Sequence, residues 1–160
     1  MAHAFIDTSA LVKYYHPEDG TQEVTRIIEG PGSRHYISRL SLVETVSAFT
    51  VKFRLGQIDG QEFADLRRRF YYDIGQGRCR VMPVTASRYQ AAMQLIEKHF
   101  RISPRTLDAL QLAVALALSH QGMIDHFMCA DQRLCDTATE EGLSVLNPSG
   151  QWCVIFRDGL

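Results

Sequence analysis

Short apolar segments alternate with longer amphipathic segments along almost all of this 160-residue chain. The short segments have the character of strands buried on both faces of a sheet. A regular alternation of strand and helix favours a parallel sheet covered by helices on both sides. We therefore predict a three-layer α/β/α fold with a central parallel sheet of four to five strands. The predicted strands lie at 4–6, 35–38, 80–84, 127–130 and 143–146.

The intervening segments have helical periodicity and end at residues that break helices. In the third helix the spacing places Leu42, Val46, Phe49 and Phe53 on one apolar face. The sixth helix is apolar on most sides, which predicts that it is buried between layers. Asp59 and Thr85 are the expected N-caps of the fourth and fifth helices. The predicted helices lie at 9–15, 20–28, 41–55, 59–74, 85–100, 105–121 and 132–141.

The composition is that of a globular protein, with 46% hydrophobic and 22% charged residues. We expect one domain at 1–147 and a C-terminal extension at 148–160, which could be an edge strand, a dimer contact or a poorly ordered end. The four cysteines follow neither a zinc nor a disulfide pattern. The sequence also has no secretory leader and no apolar run long enough to cross a membrane, so we expect a cytoplasmic protein.

The formal net charge of −1 hides an uneven distribution. Residues 34–105 hold 13 basic and 6 acidic residues, a net charge of +7, whereas the flanks sum to −8. A basic middle segment is typical of a surface that meets nucleic-acid phosphates, although solvated helix faces give the same pattern. The triplet at 67–69 could bind phosphates or simply solvate a helix. Several nearby aromatic residues could stack on RNA or belong to the core or an interface; they are Tyr14, Tyr15, Phe70, Tyr71 and Tyr72.

Two acidic residues directly follow predicted strands, Asp7 after the first and Asp131 after the fourth. Because ligands of parallel sheets collect beyond the carboxyl ends of the strands, these two side chains would be expected to share a cation. For either residue alone, an N-cap or turn role is the simpler explanation.

Glu44 and Asp108 are harder to explain as surface residues. Glu44 lies among apolar neighbours in an amphipathic helix, and Asp108 lies one turn into the most apolar helix. Four carboxylates in one cleft would repel one another without a hard divalent cation such as Mg²⁺ or Mn²⁺. The set therefore suggests metal-assisted hydrolysis of a phosphodiester, with the basic segment facing the substrate backbone.

Four sequence blocks around these acids resemble the PIN-domain ribonucleases, specifically the VapC-like toxins of bacterial type II toxin–antitoxin pairs. The blocks occur in the order of that family and span about residues 4 to 147. They are Phe5-Ile6-Asp7-Thr8-Ser9-Ala10-Leu11, Ser41-Leu42-Val43-Glu44, Thr106-Leu107-Asp108-Ala109-Leu110-Gln111-Leu112-Ala113 and Cys129-Ala130-Asp131-Gln132-Arg133-Leu134.

The resemblance implies a PIN-like nuclease domain at 1–147 that binds Mg²⁺ or Mn²⁺ and cuts RNA as an endoribonuclease. It further implies a homodimer and a cognate antitoxin that covers the cleft. By the same resemblance, the catalytic and metal-binding residues are Asp7, Glu44, Asp108 and Asp131. Ser9 would support the first acid or contact a phosphate, and Arg105 would touch the substrate, although a surface role for Arg105 is equally compatible.

The chain departs from the family pattern at two positions that are not carboxylates. Cys129 stands where threonine is more common, and Gln111 where histidine is frequent. Three other functions remain open: a PIN nuclease that processes RNA without a toxin role, an inactive PIN binding module, and a phosphatase with Asp7 as nucleophile. The phosphatase chemistry usually needs a second Asp two residues further on, where this chain has Ser9.

Overall fold

Five parallel strands form the central sheet of the computed structural model, which describes residues 3–150. The strand order is β3-β2-β1-β4-β5, so β1 lies at the centre and β3 and β5 at the edges. The strands are β1 (His3–Ile6), β2 (Arg34–Ser38), β3 (Arg80–Met82), β4 (His126–Met128) and β5 (Val145–Leu146). The helices are α1 (Thr8–Tyr15), α2 (Thr21–Ile28), α3 (Arg39–Arg54), α4 (Gly60–Gly75), α5 (Ala86–Lys98), α6 (Thr106–His120) and α7 (Gln132–Glu140).

The two faces of the sheet carry separate hydrophobic cores, because successive side chains of a strand point to opposite faces. Ala4 and Ile6 of β1 pack in the core that is completed by α1 to α4. Phe5 packs in the core that is completed by α5 to α7, where its ring stacks on Phe127 with centroids 5.8 Å apart. The predicted three-layer α/β/α architecture with a five-stranded parallel sheet is confirmed.

The predicted helices and strands are all present, with ends that differ by at most two residues. β3 ends before Pro83, whose ring nitrogen has no hydrogen to donate to a neighbouring strand. β4 ends before Ala130, whose N–H donates to Ser9 Oγ at 2.9 Å instead of to the sheet. The C-terminal residues 151–160, including most of the predicted extension, lie outside the described part of the chain.

The predicted apolar face of α3 is confirmed at Leu42, Val46 and Phe49, which pack in or against one core, and it is wrong at Phe53. Phe53 is 46% exposed and stacks on Phe63, whereas the fully buried side chains are Ser41, Thr45 and Phe49. Small polar side chains of α3 face inward near its N-terminus, because that end of the helix packs against the polar floor of a cleft.

The two predicted N-caps differ in outcome. Asp59 caps α4 in a capping box with Glu62. Thr85 stands at the N-cap position of α5, but its hydroxyl pairs with Ser87 Oγ at 2.9 Å and caps no backbone N–H.

The arginines at 67–69 have contacts within the chain. Arg69 lies over the rings of Tyr14 and Tyr15, at 4.8 and 5.4 Å from the ring centroids. Arg67 lies over Phe63, and Arg68 pairs with Asp65. Tyr14, Tyr15 and Phe70 are core residues, whereas Tyr71 and Tyr72 are exposed.

No helix in residues 3–150 is both long and apolar enough to cross a membrane.

Candidate active site

The four predicted acids line one cleft of about 430 Å³ at the carboxyl edge of the sheet. Asp7 follows β1, Asp131 follows β4, Glu44 lies in the second turn of α3, and Asp108 lies in the first turn of α6. Parallel strands end at the same edge, so β1 and β4 bring Asp7 and Asp131 together. The packing of α3 and α6 on opposite faces adds the other two side chains.

Asp7 is the most deeply buried of these acids, at 4% exposed. It is the N-cap of α1, and its Oδ2 accepts hydrogen bonds from Ser9 N at 2.9 Å and Ser9 Oγ at 2.6 Å. Burial raises the pKa of Asp7 to about 6, against the lowering effect of the two Ser9 bonds, and the nearby charges of Asp108 and Glu44 raise it further. Asp7 therefore caps α1 and also lines the cleft.

Ser9 joins the two strand ends that carry Asp7 and Asp131. Its hydroxyl donates to Asp7 and accepts from the backbone N–H of Ala130. The Ser9 side chain is thus part of the support of the first acid, one of the two roles that the resemblance implies.

Asp108 carries the clearest sign of a missing partner. Its Oδ2 is buried and has no hydrogen-bond partner in the described part of the chain. Burial raises the pKa of Asp108 to about 6; the charges of Asp131 and Glu44 add to the rise, and Arg105 and Arg133 oppose it. An unpaired buried carboxylate oxygen is costly, and a bound cation is one way to satisfy it.

Asp131 and Arg105 form the more open rim of the cleft. Asp131 caps α7 by accepting from Leu134 N at 3.0 Å. Arg105 Nη1 lies 3.8 Å from Asp131 Oδ2, and the Arg105 side chain is 68% exposed. Such an exposed pair is weak, so the guanidinium remains available to another anion.

A polar floor fixes Glu44, and sequence reasoning missed it. Gln111 is fully buried in α6, and its amide nitrogen lies 2.6 Å from Glu44 Oε2, 3.0 Å from Ser41 Oγ and 3.1 Å from Thr8 Oγ1. Thr8 Oγ1 itself donates to Glu44 Oε2 at 2.9 Å. The sequence signal for this polar floor is a glutamine inside the most apolar helix, a residue that otherwise stands out only as a departure from the family pattern.

The donor atoms suit a hard divalent cation, because carboxylate oxygens are the preferred ligands of Mg²⁺ and Mn²⁺. The unpaired oxygen of Asp108 and the raised pKa values of Asp7 and Asp108 show acids gathered without enough positive charge. Within residues 3–150, however, no three His, Cys, Asp or Glu side chains lie close enough to form a ready-made ligand group. The four acids therefore line the same cleft, but they are not arranged as a ligand set around a single position.

Several solved structures have the same fold as this chain. One is a toxin–antitoxin complex from Klebsiella pneumoniae, with 14% identity, a TM-score of 0.60, and 91% of this chain and 97% of that chain covered. Another is Mycobacterium tuberculosis VapC20, described as a sarcin-ricin loop cleaving toxin, with 20% identity, a TM-score of 0.61, and 88% and 95% covered. A third is FitAcB from Neisseria gonorrhoeae, with 15% identity, a TM-score of 0.62, and 91% and 97% covered.

The sequence comparisons identify the family. A comparison with curated proteins gives no match. The family model described as PIN domain matches residues 4–139, which include all four acids of the cleft and the whole of both helical layers except the end of α7. This chain belongs to the PIN-domain family.

Proposed function

We propose that this protein is a divalent-metal-dependent endoribonuclease and that it acts as the toxin of a type II toxin–antitoxin pair. The observation that carries the proposal is the cleft itself: in a PIN fold, four acids from separate elements line it, and two of them have a pKa of about 6. Such a cluster serves little purpose for stability, because its like charges repel one another.

Asp7, Glu44, Asp108 and Asp131 would hold the Mg²⁺ or Mn²⁺ ion. When bound, such an ion lowers the pKa of its water and neutralises charge on a phosphodiester. The chain's own groups prepare the site: Ser9 fixes Asp7, the Gln111 amide fixes Glu44, and exposed Arg105 can contact a substrate phosphate at the rim. These contacts orient the acids before substrate binds.

RNA is the substrate that the charge and the relatives favour. Residues 34–105 carry a net charge of +7 and border the cleft through α3 and Arg105. Among the proteins of the same fold, VapC20 is described as cleaving the sarcin-ricin loop, an RNA.

An antitoxin segment would fit the apolar wall beside the acids. Val43, Val51 and Leu107 line the cleft and are 72%, 39% and 45% exposed. A peptide with apolar side chains and a basic residue would cover this wall and offset the charge of the acids. Two of the structures with this fold are a toxin–antitoxin complex and FitAcB, which supports a protein partner for this chain.

We also propose that the protein is a homodimer. Tyr71 and Tyr72, on α4, are 51% and 64% exposed, and neighbouring exposed aromatic residues are common in subunit interfaces. A molar mass from light scattering equal to one chain, at micromolar concentration, would rule this out.

Asp7→Asn tests the nuclease assignment. We expect the variant to keep its circular dichroism spectrum and lose cleavage of a labelled RNA in Mn²⁺ by at least about a hundredfold, since even supporting residues of metal sites cost 10–100-fold. Asp136→Asn is the matched control, because Asp136 is exposed and, within residues 3–150, pairs only with Gln132. Undiminished cleavage by the Asp7 variant, with metal-free controls inactive, contradicts the assignment.

The toxin role has a separate test. A short reading frame beside the gene, encoding a DNA-binding head and an apolar, basic tail, should yield a protein that binds this chain and blocks its RNase activity. A nuclease that stays active in the presence of every neighbouring gene product would instead be an RNA-processing enzyme.

A further inference from the structure

A second concavity, of about 360 Å³, lies at the edge of the sheet where β2 and β3 begin. Because the strands are parallel, this edge is opposite to the one that carries the acids. The five residues of β2 span about 13 Å at 3.3 Å per residue, which separates this pocket from the cleft. We call it the arginine pocket; it is lined by Ser33, Arg34, His35, Gly77, Arg78 and Arg80.

Three guanidinium groups surround this pocket, and two of them have no counter-charge. Arg78 Nε pairs with Asp73 Oδ1 at 3.1 Å. Neither Arg34 nor Arg80 makes an ion pair with another residue of the described chain, and both are exposed. Like charges around one concavity repel one another, so an anion placed among them would be attracted by all three.

The remaining walls leave room for an anion. Gly77 has a φ of +72°, and a side chain at this position would meet nothing within 4 Å, so the backbone borders open space. His35 is 3% exposed, and neither of its ring nitrogens completes a hydrogen bond within residues 3–150. Burial lowers the pKa of His35, against a smaller raising effect of the Ile27 and Ile28 carbonyls, so the charge of the pocket comes from the arginines.

We propose that the arginine pocket binds a phosphate group, at a site separate from the acidic cleft. Guanidinium groups present planar pairs of N–H donors that match phosphate oxygens. Three guanidinium groups provide more positive charge and more donors than a single carboxylate would need. The phosphate belongs either to the backbone of an RNA that extends beyond the cleft or to a free phosphate-bearing small molecule. β3 is an edge strand, so a chain of nucleotides can pass its open side.

Calorimetric titration with inorganic phosphate, in low salt with a chelator, tests the pocket without metal in the cleft. We expect the wild-type protein to bind phosphate and the double variant R34Q/R80Q to bind it at least about tenfold more weakly. The control R68Q/R101Q has the same net charge change and also alters only exposed arginines, so it should bind like the wild type. An unchanged unfolding temperature shows that each variant is folded.

RNA binding then identifies the source of the phosphate. In an Asp7→Asn background, weaker binding of single-stranded RNA by R34Q/R80Q, with the slope of log K against log salt reduced by about 1.4, assigns the pocket to the RNA backbone. Unchanged RNA binding together with lost phosphate binding assigns it to a free phosphate-bearing ligand. Absence of phosphate binding by the wild type, or equal binding by all three proteins, overturns the proposal. The phosphate titration needs no cleavage, so it stands apart from the test of the nuclease.

Discussion

The side-chain amide of Gln111 donates a hydrogen bond to Glu44 Oε2 at 2.6 Å and so joins α6 to α3 under the cleft. The same nitrogen lies 3.0 Å from Ser41 Oγ and 3.1 Å from Thr8 Oγ1. One neutral, fully buried side chain of one helical layer thus orients an acid and two hydroxyls of the other layer. Gln111 is a positioning residue, because it acts on the site through Glu44.

Gln111→Leu should destabilise the protein and weaken the site. The change leaves buried polar groups without a donor, which costs about 1–3 kcal/mol in the free energy of unfolding. Urea unfolding measures this cost, with Gln121→Leu as the control, because Gln121 is exposed at the end of α6. If Gln111 orients Glu44, Gln111→Leu should also lower kcat more than it raises KM. A loss of stability with unchanged kcat would show that the residue serves packing alone.

Ser9→Ala should remove the hydrogen-bonded link between the ends of β1 and β4 at the cleft. The substitution removes the hydroxyl that donates to Asp7 and leaves the Ala130 N–H without its acceptor, at a cost of about 1–2 kcal/mol. Because the Ser9 Oγ bond lowers the pKa of Asp7, its loss raises that pKa above about 6, although the backbone N–H bond of residue 9 remains. The acidic limb of the pH–activity profile should move to higher pH, while Ser149→Ala, at an exposed position, should leave it in place. An identical profile for Ser9→Ala would contradict this role.

The metal-free protein should lose stability as pH rises through the range in which Asp7 and Asp108 ionise. Both pKa values are raised from 3.8 to about 6, so between these limits the folded protein binds more protons than the unfolded chain. The free energy of unfolding therefore carries a contribution from these acids that is present below about pH 4 and is lost as pH rises through about 6. It is about 3 kcal/mol for Asp7 and less for Asp108, which is only partly buried.

Asp7→Asn isolates that contribution, because an amide cannot ionise. In chelator, the variant should be more stable than the wild type near neutral pH and should show a flatter dependence on pH in urea unfolding. Asp19→Asn, at an exposed position, should follow the wild type. Parallel curves for wild type and Asp7→Asn would show that burial of this carboxyl carries no such penalty.

Addition of Mn²⁺ should raise the unfolding temperature, because a ligand that binds only the folded state stabilises it. At a hundred times its dissociation constant the gain is about 2.7 kcal/mol. The gain should be larger above neutral pH than at about pH 5, where protons compete for Asp7 and Asp108. Asp108→Asn should reduce the gain and Asp136→Asn should keep it. Equal shifts in all three proteins would indicate nonspecific binding of the ion.

The sequence by itself determined the kinds of elements, their order and the layered class of fold. These features depend on local properties: the period of apolar residues, the length of each apolar run and the breakers between them. It also singled out Asp7 and Asp131, because an acid that directly follows a buried strand is unusual wherever that strand lies. Element ends were less well predicted, since Pro83 and the Ala130–Ser9 bond ended strands that periodicity alone would extend.

Only the tertiary structure decided the strand order, the inward face of α3 and the polar floor of the cleft. The contacts that fix Glu44 join residues 36 and 67 positions apart, and the bond from Gln111 to Thr8 joins residues 103 apart. No local pattern encodes such distances. The apolar period of α3 also predicted that Phe53 is buried, whereas the buried residues of this helix include Ser41 and Thr45. The arginine pocket likewise exists only because β2 and β3 lie side by side, which brings Arg34, Arg78 and Arg80 to one concavity.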